Sequence, residues 1–443
     1  MPARNRAATR ALLEELYAAA VAAAAPGPAV ERALAEAGRP TRPVHLLALG
    51  KAALPMADAA LRILRGWKLV PAGGLIVPPV AAAAPDPSLP VIAGDHPEPG
   101  PGSLAAAGAL ARAAAAVGPA DDVWVLLSGG ATSLLGAPVE GVSPAELAQL
   151  YALLLGSGLD IGAMNRIRKR FSRWGAGRLA AALAPATVRV LVVSDVIGDD
   201  LASIGSGPCV PDPTRAAEVR ASLETAGLWD RVPAAVRSLV QEAEAGRTAE
   251  TPKPGDAVFA RVETRIVASN RIALEAAAAR AELRGLAPAI VATPLAGEAA
   301  AAGHAIAAAL LTYAPGSGMQ QRPGSTCVIW GGETTVTLGT ATPGLGGRSQ
   351  ELALAAAAAL AGAGPAANGV ALLAAGTDGR DGPTDAAGAV VDGRTWDDIR
   401  RAGRDPGRDL AAHDAYRALD AAGTLLRPGH TGTNVMDVVI GLC

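Results

Sequence analysis

The order of strand-like and helix-like segments is the feature that most constrains the fold of this chain. Short apolar runs alternate with alanine-rich runs of helical character, which is typical of mostly parallel sheets covered by helices. The pattern predicts an α/β fold with two α/β domains. The predicted strands are residues 44–49, 75–77, 123–127, 188–193, 265–268, 289–292, 326–330, 335–338 and 370–374.

Almost every predicted strand runs into a cluster of glycine, serine, asparagine or aspartate. Open α/β sheets bind ligands at the carboxyl ends of their strands. These clusters are therefore the first places to look for functional residues.

A hydrophilic, proline-bearing segment at residues 246–256 (GRTAETPKPGD) is the best candidate for a domain boundary. It predicts an amino-terminal domain over residues 1–245 and a carboxyl-terminal domain over residues 246–443. A second stretch, residues 315–325, is predicted to be a loop within the latter.

Composition argues against several classes of protein. A net charge of −2 gives no overall attraction to nucleic acid or to an anionic membrane. The longer apolar stretches are interrupted by proline and glycine, so we expect no membrane span. The three cysteines, Cys209, Cys327 and Cys443, are far apart and form no CxxC motif, which disfavours a disulfide framework or structural zinc site. A cytoplasmic location fits best.

The amino terminus imitates a signal peptide, because Arg4, Arg6 and Arg10 precede an alanine-rich stretch. Glu14 and Glu15 interrupt its apolar core, however, and the segment LLEELYAAAV has helical spacing. We therefore predict an amphipathic helix.

Residues 376–389 (GTDGRDGPTDAAGA) place Asp378, Asp381 and Asp385 in a loop directly after a predicted buried strand. Carboxylates in one turn repel each other and need a cation or hydrogen-bond donors, which suggests Mg²⁺ with a phosphorylated ligand. The alternative is a helix cap followed by a solvated loop.

Two further strand ends carry candidate residues. Lys51 follows a glycine turn in the first turn of a predicted helix, where its charge suits a phosphate or carboxylate, although it could be an ordinary surface lysine. The rigid turn GDHPEPGPGS carries Asp95 and His96, and a lone histidine there is more often structural than catalytic.

The segment VWVLLSGGATSLL is a sharper signal. Its strand ends at Ser128, Gly129 and Gly130 let the backbone turn, and Thr132 and Ser133 open the next helix. Exposed amides and hydroxyls in that order form a phosphate cradle, and the alternative is a tight turn without a ligand.

Basic and acidic groups follow in the next segments. Arg168 and Arg178 belong to an arginine-rich stretch whose members cannot all face one way at helical spacing, so only a minority is expected to reach a ligand. Asp195 stands at another strand end, with Asp199 and Asp200 shortly after it. This repeats the arrangement of the 376–389 loop in the first half of the chain.

In the last third of the chain, Glu333 follows a predicted strand and Arg348 stands at a helix entrance behind two glycines. An arginine held in this way suits a phosphoryl oxygen. The segment HTGTNVMDVV, with Thr431 and Asn434, by itself indicates only a loop before a last apolar element.

Taken together, these segments resemble the class II glycerate kinase (glycerate 2-kinase) family, whose carboxyl-terminal part is known as the MOFRL domain. The matching stretches, in family order from about residue 45 to 437, are ALGKAALPMADAA, GDHPEPGPGS, LLSGGATSLL, NRIRKRFS with GAGRLA, SDVIGDD with SGPCVPDPT, ASNRIALEAA, GGETTVT, GGRSQELAL, GTDGRDGPTDAAGAVVD and TGTNVMD.

The resemblance implies transfer of a phosphoryl group from ATP, with Mg²⁺, to D-glycerate, giving 2-phosphoglycerate. It also implies a Rossmann-like amino-terminal domain, a MOFRL region at about residues 325–437 and an active site in the cleft between the domains. The oligomeric state stays open, with a homodimer among the states considered.

The family's proposed catalytic lysine and arginine fall on Lys51 and Arg348, and alanine at either position is expected to abolish turnover without unfolding. Asp195 joins them as a catalytic candidate, because Asp378, Asp381 or Asp195 could hold Mg²⁺ or orient or deprotonate the C2 hydroxyl. The expected ATP contacts are Ser128, Gly129, Gly130, Thr132, Ser133, Glu333, Asp378, Thr431 and Asn434. The expected glycerate contacts are Arg168, Arg178, Asp95 and His96, with the loop at residues 128–133 as a further candidate for the glycerate carboxylate. The expected metal ligands are Asp378, Asp381 and Asp199.

The chain also departs from the family pattern. Arg170 stands where the family usually has histidine, Ile197 where it has proline, and Met436 where it has asparagine. The family's SGGGSALL loop is SGGATSLL here, with Ala131 and Thr132 at the changed positions. These departures bear on substrate preference more than on family membership.

Two rival functions make different demands on the sequence. Relatives of this family have been called hydroxypyruvate reductases, which would require a nicotinamide cofactor. GAGPAA at residues 362–367 precedes a strand instead of following one, so it is in the wrong context for a dinucleotide fingerprint. A non-catalytic binder would leave the charged residues at the strand ends unexplained. No Walker A loop surrounds Lys51, which excludes a P-loop kinase only.

Overall fold

The computed structural model describes residues 5–313, 326–340 and 342–443; the predicted loop at residues 315–325 and Arg4 lie outside these ranges. The chain divides into two compact units. One is Pro26–Val267, called here the Lys51 unit. The other combines Met1–Ala25 with Ala268–Cys443 and is called the Arg348 unit.

Helices and strands alternate through most of the described residues. The helices are α1 Arg6–Ala23, α2 Pro26–Ala37, α3 Ala53–Gly66, α4 Pro101–Ala115, α5 Ala131–Leu134, α6 Pro144–Leu155, α7 Ile161–Phe171, α8 Arg178–Leu183, α9 Ala216–Thr225, α10 Ala234–Glu244, α11 Asn270–Leu283, α12 Ala299–Tyr313, α13 Arg348–Gly362, α14 Thr395–Arg401, α15 Pro406–Ala411 and α16 Ala415–Ala421. The strands are β1 Val44–Leu49, β2 Gly73–Val77, β3 Asp122–Ser128, β4 Thr187–Val193, β5 Val262–Ala268, β6 Ala287–Ile290, β7 Thr326–Gly332, β8 Ala371–Gly376, β9 Gly388–Asp392, β10 Leu425–Leu426 and β11 Asp437–Leu442.

The sheet of the Lys51 unit has the strand order β2-β1-β3-β4-β5, and β1 pairs in parallel with both β2 and β3. Every residue of β1 is buried, as expected for a strand covered by helices on both faces. This confirms the predicted α/β fold and its parallel sheet. Because the strand order reverses between β1 and β3, their carboxyl ends form the crevice where such sheets bind ligands.

The sheet of the Arg348 unit is mixed, with the order β10-β9-β8-β11-β7-β6. The β6–β7 pair is parallel, whereas β11 runs antiparallel to both β7 and β8. The expectation of a mostly parallel sheet was therefore wrong for this unit. The short strands β9 and β10 and the last strand β11 were not predicted, and the predicted strand at 335–338 is reduced to an isolated bridge between Thr335 and Glu298.

The predicted amphipathic helix at the amino terminus is confirmed as α1. Its buried residues Leu13, Leu16, Tyr17 and Ala20 repeat at helical spacing. Burying side chains such as Leu13 and Leu16 stabilises a fold by roughly 2 kcal/mol each. Among the described residues, no helix is both long enough and apolar enough to cross a lipid bilayer.

The compact units differ from the predicted division at residue 246 in two segments. Residues 1–25 group with the carboxyl-terminal half because α1 packs on α11, β8 and β11. Residues 246–267 group with the first half because β5 extends its sheet beside β4. The proline-bearing segment thus lies inside the Lys51 unit.

Candidate active site

The carboxyl ends of β1 and β3 are joined by backbone contacts that place Lys51. Gly50 has a φ of 123°, and a Cβ there would lie 2.3 Å from the Ser128 hydroxyl oxygen, so only glycine fits. The Lys51 amide donates to the Gly129 carbonyl at 2.9 Å, and the Ala52 amide donates to the Ser128 hydroxyl at 2.9 Å. The two strand ends therefore hold each other in register.

Three predicted side chains gather around the two glycines of this turn. A Cβ added at Gly130 would lie 3.1 Å from Lys51 Cγ and 3.2 Å from His96 Cδ2. A Cβ added at Gly129 would lie 1.8 Å from Asp195 Oδ2. Side chains from the ends of β1 and β4 and from the turn before α4 thus meet at one glycine turn, while Lys51 itself is solvent-exposed.

The charges of this group are coupled. Burial raises the pKa of Asp195, and the neighbouring Lys51 opposes that rise. Burial and then the positive charge of Lys51 lower the pKa of His96, which Asp195 partly offsets. The imidazole is therefore neutral at neutral pH, and the group offers an ammonium, a carboxylate and a neutral imidazole packed around the Gly129–Gly130 backbone.

The remaining residues of this turn and the Asp95 turn have local partners. Thr132 Oγ1 lies 2.9 Å from Ser206 Oγ, and the Ser133 hydroxyl donates to the Gly130 carbonyl at 3.5 Å. Asp95 accepts from the Ser103 amide at 3.0 Å at the start of α4, so its carboxylate stabilises a helix end.

The arginine-rich helix α7 contributes mainly to the fold. The Arg178 guanidinium donates to backbone carbonyls at the end of α7, including Arg170 at 2.8 Å and Ser172 at 3.1 Å. Burial, reinforced by Arg170, lowers the pKa of Arg178 to about 10. Arg170, which stands where the family pattern has histidine, forms a local ion pair with Glu250 at 2.7 Å.

Arg168 differs from these two arginines. Its guanidinium lies over the Tyr151 ring at 4.3 Å from the centroid, and its buried Nε has no hydrogen-bond partner within the described residues. Stacking fixes the orientation of the guanidinium. Its Nε thus differs from the Arg178 guanidinium, whose Nη1 and Nη2 donate to backbone carbonyls.

Asp199 lies in a 3-10 turn at Ile197–Asp199 with a φ of 57°. The neighbouring Asp200 accepts from the Ala202 amide at 3.1 Å and from the Ser203 hydroxyl at 2.6 Å. Asp200 thus stabilises its own turn, and Asp199 is the more available of the two.

In the Arg348 unit, Arg348 is held by two carboxylates. Its Nε and Nη2 donate to Asp437 Oδ2 and Oδ1 at 2.6 and 2.9 Å, and its Nη1 lies 2.6 Å from Glu333 Oε1. Asp437 is 4% exposed, whereas the Arg348 side chain is 34% exposed. A planar bidentate pair of this kind fixes the direction of the guanidinium.

Asp437 was not among the predicted site residues. It is the first residue of β11, and its register partners are Gly332 and Gly376, the last residues of β7 and β8. Because β11 is antiparallel to both, its beginning lies at the edge where they end. Burial raises the pKa of Asp437, and the charge of Arg348 opposes that rise.

The three aspartates of the 376–389 loop have different environments. Asp381 accepts from the Ser349 and Gln350 amides at 3.2 and 2.8 Å, so it caps α13 from a distant segment. Asp385 is exposed and accepts from the Tyr416 hydroxyl at 2.7 Å. The expected metal role of Asp381 thus competes with a helix cap that already uses both of its oxygens.

Asp378 and Asp437 lie on either side of Gly376. A Cβ added at Gly376 would lie 3.2 Å from Asp378 Oδ1 and 3.5 Å from Asp437 Oδ1, so both carboxylates flank one backbone position. The negative charge of Asp378 further raises the pKa of Asp437. Asp378 Oδ1 accepts from the Arg380 amide at 3.0 Å.

The loop before β11 is tied to the end of β8. The Thr431 hydroxyl donates to the Thr377 carbonyl at 2.6 Å, and the Thr377 hydroxyl donates to the Met436 carbonyl at 2.7 Å. Asn434 Oδ1 accepts from the Met436 amide at 3.2 Å. Thr431 and Asn434 thus stabilise the backbone that delivers Asp437.

A metal ion would find hard oxygen ligands in the Arg348 unit. Within the described residues, no group of three or more His, Cys, Asp and Glu side chains could hold a metal by itself. Mg²⁺ bound with phosphates needs only one or two carboxylates. Asp378 and Asp437 flank one backbone position in this unit and supply carboxylate oxygens of the kind that Mg²⁺ prefers.

Comparisons with known proteins agree with the sequence motifs. Residues 12–241 match a family described as a domain of unknown function (DUF4147), and residues 326–437 match the MOFRL family. The chain is 37% identical to a D-glycerate 2-kinase of Thermotoga maritima over 90% of each sequence. It is 38% identical to a putative hydroxypyruvate reductase of Agrobacterium vitis, over 98% of this chain and 94% of that protein.

A solved structure is similar over nearly the whole length. The crystal structure of the glycerate kinase from Thermotoga maritima aligns with a TM-score of 0.87 at 36% sequence identity. The alignment covers 98% of this chain and 99% of that one. The similarity therefore spans both units and the segments that carry the candidate residues.

Proposed function

Because the chain belongs to the glycerate 2-kinase family with a carboxyl-terminal MOFRL region, we propose that it transfers the γ-phosphoryl group of ATP to the C2 hydroxyl of D-glycerate. The products are 2-phosphoglycerate and ADP. The observation that carries the proposal is the gathering of Lys51, His96 and Asp195 around Gly129 and Gly130. Such a group can neutralise and align a phosphoryl group, which is most of what this reaction requires.

Lys51 is assigned the role of neutralising the negative charge on the transferred phosphoryl group. It is exposed at the switch point of a parallel sheet, and its aliphatic stem lies against Gly130. An ammonium aimed at phosphoryl oxygens stabilises the charge that develops in the transition state. The backbone of the turn at Gly129 and Gly130 is assigned to the same phosphoryl group.

Asp195 is assigned the role of general base, which accepts the proton of the C2 hydroxyl. As the C2 oxygen forms its bond to the γ-phosphorus, the bond from that phosphorus to the bridging oxygen breaks and ADP departs with that oxygen. The hydroxyl proton passes to the Asp195 carboxylate, whose raised pKa makes it a better acceptor than an ordinary aspartate. The neutral imidazole of His96 is placed to orient the acceptor.

The glycerate carboxylate is assigned to Arg168, whose stacked guanidinium has a buried donor without a partner in the described ranges. Arg178 and Asp95, which were expected beside it, already hold helix ends through their own hydrogen bonds. We assign them a supporting role.

Mg²⁺ and the nucleotide phosphates are assigned to the Arg348 unit. Asp378 would hold the ion, with Asp437 next to it, and the ion would supply neutralisation of the phosphate charge. Arg348, oriented by Asp437 and Glu333, is assigned a phosphoryl oxygen. Thr431 and Asn434 support this edge, and Asp199 is the remaining candidate for the ion in the Lys51 unit.

One set of assays tests the proposal against its rivals. Purified protein is incubated with D-glycerate, ATP and Mg²⁺, and in parallel with hydroxypyruvate and NADH or NADPH. We expect ADP only when D-glycerate is present, and loss of turnover when EDTA removes the metal. Oxidation of NAD(P)H without ADP formation would establish the reductase instead, and the absence of both reactions would favour a binding protein.

Two further assignments belong to the same proposal. Cys209 and Cys443 form no disulfide with any residue that the structure describes, which fits a reducing, cytoplasmic environment. A homodimer is the oligomer to test for, and light scattering of the purified protein would decide it.

A further inference from the structure

The amino-terminal helix α1 is part of the Arg348 unit although it precedes the Lys51 unit in sequence. Its buried face packs on α11 and reaches β8 and β11, the two strands that meet at Gly376 and Asp437. The Thr433 hydroxyl also donates to the Ala24 carbonyl at 2.7 Å just after α1. The helix is therefore fastened to the same strand edge that carries the carboxylates.

One side chain of α1 reaches this edge directly. Tyr17 is 3% exposed, and its hydroxyl donates to the Gly376 carbonyl at 2.7 Å. Gly376 is the last residue of β8, and a Cβ added there would lie 3.2 Å from Asp378 Oδ1 and 3.5 Å from Asp437 Oδ1. Tyr17 thus holds the backbone position from which the spacing of these two carboxylates follows.

We propose that Tyr17 is a positioning residue that sets the Asp378 and Asp437 carboxylates for the nucleotide–magnesium complex. The inference rests on the proposed kinase function, because it assigns those carboxylates to that ligand. Tyr17 acts through the Gly376 peptide and does not itself touch the reacting atoms.

The phenol has more than one effect in this position. Its ring fills the core between α1 and the sheet, which any large apolar side chain would do. Its hydroxyl donates to a buried carbonyl at the point where β8 turns into the Asp378 loop, and the Gly379 amide of that loop donates to the same oxygen at 3.4 Å. Loss of the hydroxyl removes the shorter of these two hydrogen bonds and so weakens the anchoring of the start of the loop. Removing only the hydroxyl separates the two effects.

The test compares Tyr17→Phe with Leu13→Val, a truncation on the buried face of the same helix that leaves the hydroxyl in place. Binding of ATP with Mg²⁺ and, separately, of D-glycerate is measured by calorimetry, together with Tm and steady-state kinetics. We expect Tyr17→Phe to raise the Kd for the nucleotide–magnesium complex about fivefold to tenfold, the factor that one hydrogen bond supplies. Its Kd for D-glycerate should stay within about twofold of wild type, since Arg168 is untouched.

Leu13→Val should lower Tm about as much as Tyr17→Phe does. It should leave the dissociation constants for ATP with Mg²⁺ and for D-glycerate within about twofold of wild type. Equal effects of the two variants on nucleotide binding would overturn the inference. So would a Tyr17→Phe protein that fails to fold while Leu13→Val folds, because the hydroxyl would then serve folding alone. A wild-type protein that forms no ADP from D-glycerate would refute the proposed function instead, and the wild-type assay shows this before any variant is made.

Discussion

Two groups of residues present a cation at a strand edge in opposite ways. One is the Lys51 site, made of Lys51, His96 and Asp195. The other is the Arg348 cluster, made of Arg348, Glu333, Asp378 and Asp437. Lys51 is exposed and is placed by its backbone and by glycines that leave room for its stem. Arg348 is clamped by Asp437 and Glu333, so its charge is compensated before any ligand arrives. The first arrangement leaves a cation free for an anion, whereas the second links a functional group to the stability of the fold.

The largest expected effect is on turnover in Lys51→Ala. We expect kcat to fall by roughly a hundredfold or more, because one preorganised charge at the transition state is typically worth that much. Tm should stay within about a degree of wild type, since an exposed lysine contributes little to stability. Steady-state kinetics and thermal unfolding measure the two quantities.

Lys68→Asn is the matched control, since it removes another exposed ammonium, at a position with a φ of 59° that asparagine tolerates. Its kcat should equal that of wild type. A near-normal kcat of Lys51→Ala would show that Lys51 has no role in the mechanism. The contrast between an exposed Lys51 and a clamped Arg348 would then have no functional meaning.

Arg348→Ala should lose turnover to a similar degree and, unlike Lys51→Ala, should also lose stability. The substitution leaves the Asp437 carboxylate buried without its partner, which is strongly destabilising in a dry site. Because the Arg348 side chain is 34% exposed, we expect the lower end of such effects, about 2 kcal/mol in the free energy of unfolding. The sequence alone led us to expect no effect on folding.

Denaturant unfolding of Arg348→Ala and of the double variant Arg348→Ala, Asp437→Asn isolates this cause. The double variant removes the uncompensated charge and should regain most of the lost stability while staying inactive. If Arg348→Ala unfolds at the same denaturant concentration as wild type, the clamp contributes nothing to the fold and the contrast with Lys51 disappears.

The Lys51 site could be found from sequence because parallel strands all end at one edge. Glycine at positions 50, 129 and 130 then signals where the backbone must pass close to another group. Once β1 and β3 are recognised as neighbouring parallel strands, the fold class predicts that Lys51 and the Gly129–Gly130 turn lie at the same edge of the sheet.

Asp437 could not be found in the same way. It reaches the strand edge as the first residue of an antiparallel strand, and nothing in the local sequence reveals the direction of a final apolar run. Asp381 shows a related limit, because an aspartate in a turn can bind a cation or cap a helix. Its actual partners, Ser349 and Gln350, are separated from it by 32 and 31 residues along the chain.

The third prediction concerns pH and the Asp381 cap. Burial, with a contribution from Asp437, raises the pKa of Asp381 to about 7, well above the value of about 3.9 expected in the unfolded chain. Between these values the folded state binds the proton and the unfolded state does not. Asp381 therefore adds stability at low pH that is lost as the pH rises from about 4 to about 7.

Denaturant unfolding of wild type and Asp381→Asn at several pH values should reveal this slope as a difference between the two proteins. Asp385→Asn is the control from the same loop. Its exposed carboxylate has a lowered pKa, caused first by the Tyr416 hydroxyl, so its contribution is lost as the pH falls. Parallel pH profiles for wild type and Asp381→Asn would mean that the cap does not titrate.

The smallest expected effect tests the loop beside the Lys51 site. Ile197 is 43% exposed and opens a 3-10 turn where the family usually has proline, and Val196 before it has the extended φ and ψ of −110° and 131° that a following proline requires. Ile197→Pro should raise the free energy of unfolding by about 0.5 kcal/mol, because it restricts the unfolded chain. Ile197→Ala, which removes only the exposed side chain, should not. This loop carries Asp195, whereas the Arg348 cluster is fixed by ion pairs. A stabilised Ile197→Pro enzyme with unchanged kcat would show that the backbone of the wild-type loop is already stiff enough to position Asp195. A destabilised Ile197→Pro protein would show that proline does not fit the folded conformation of the turn.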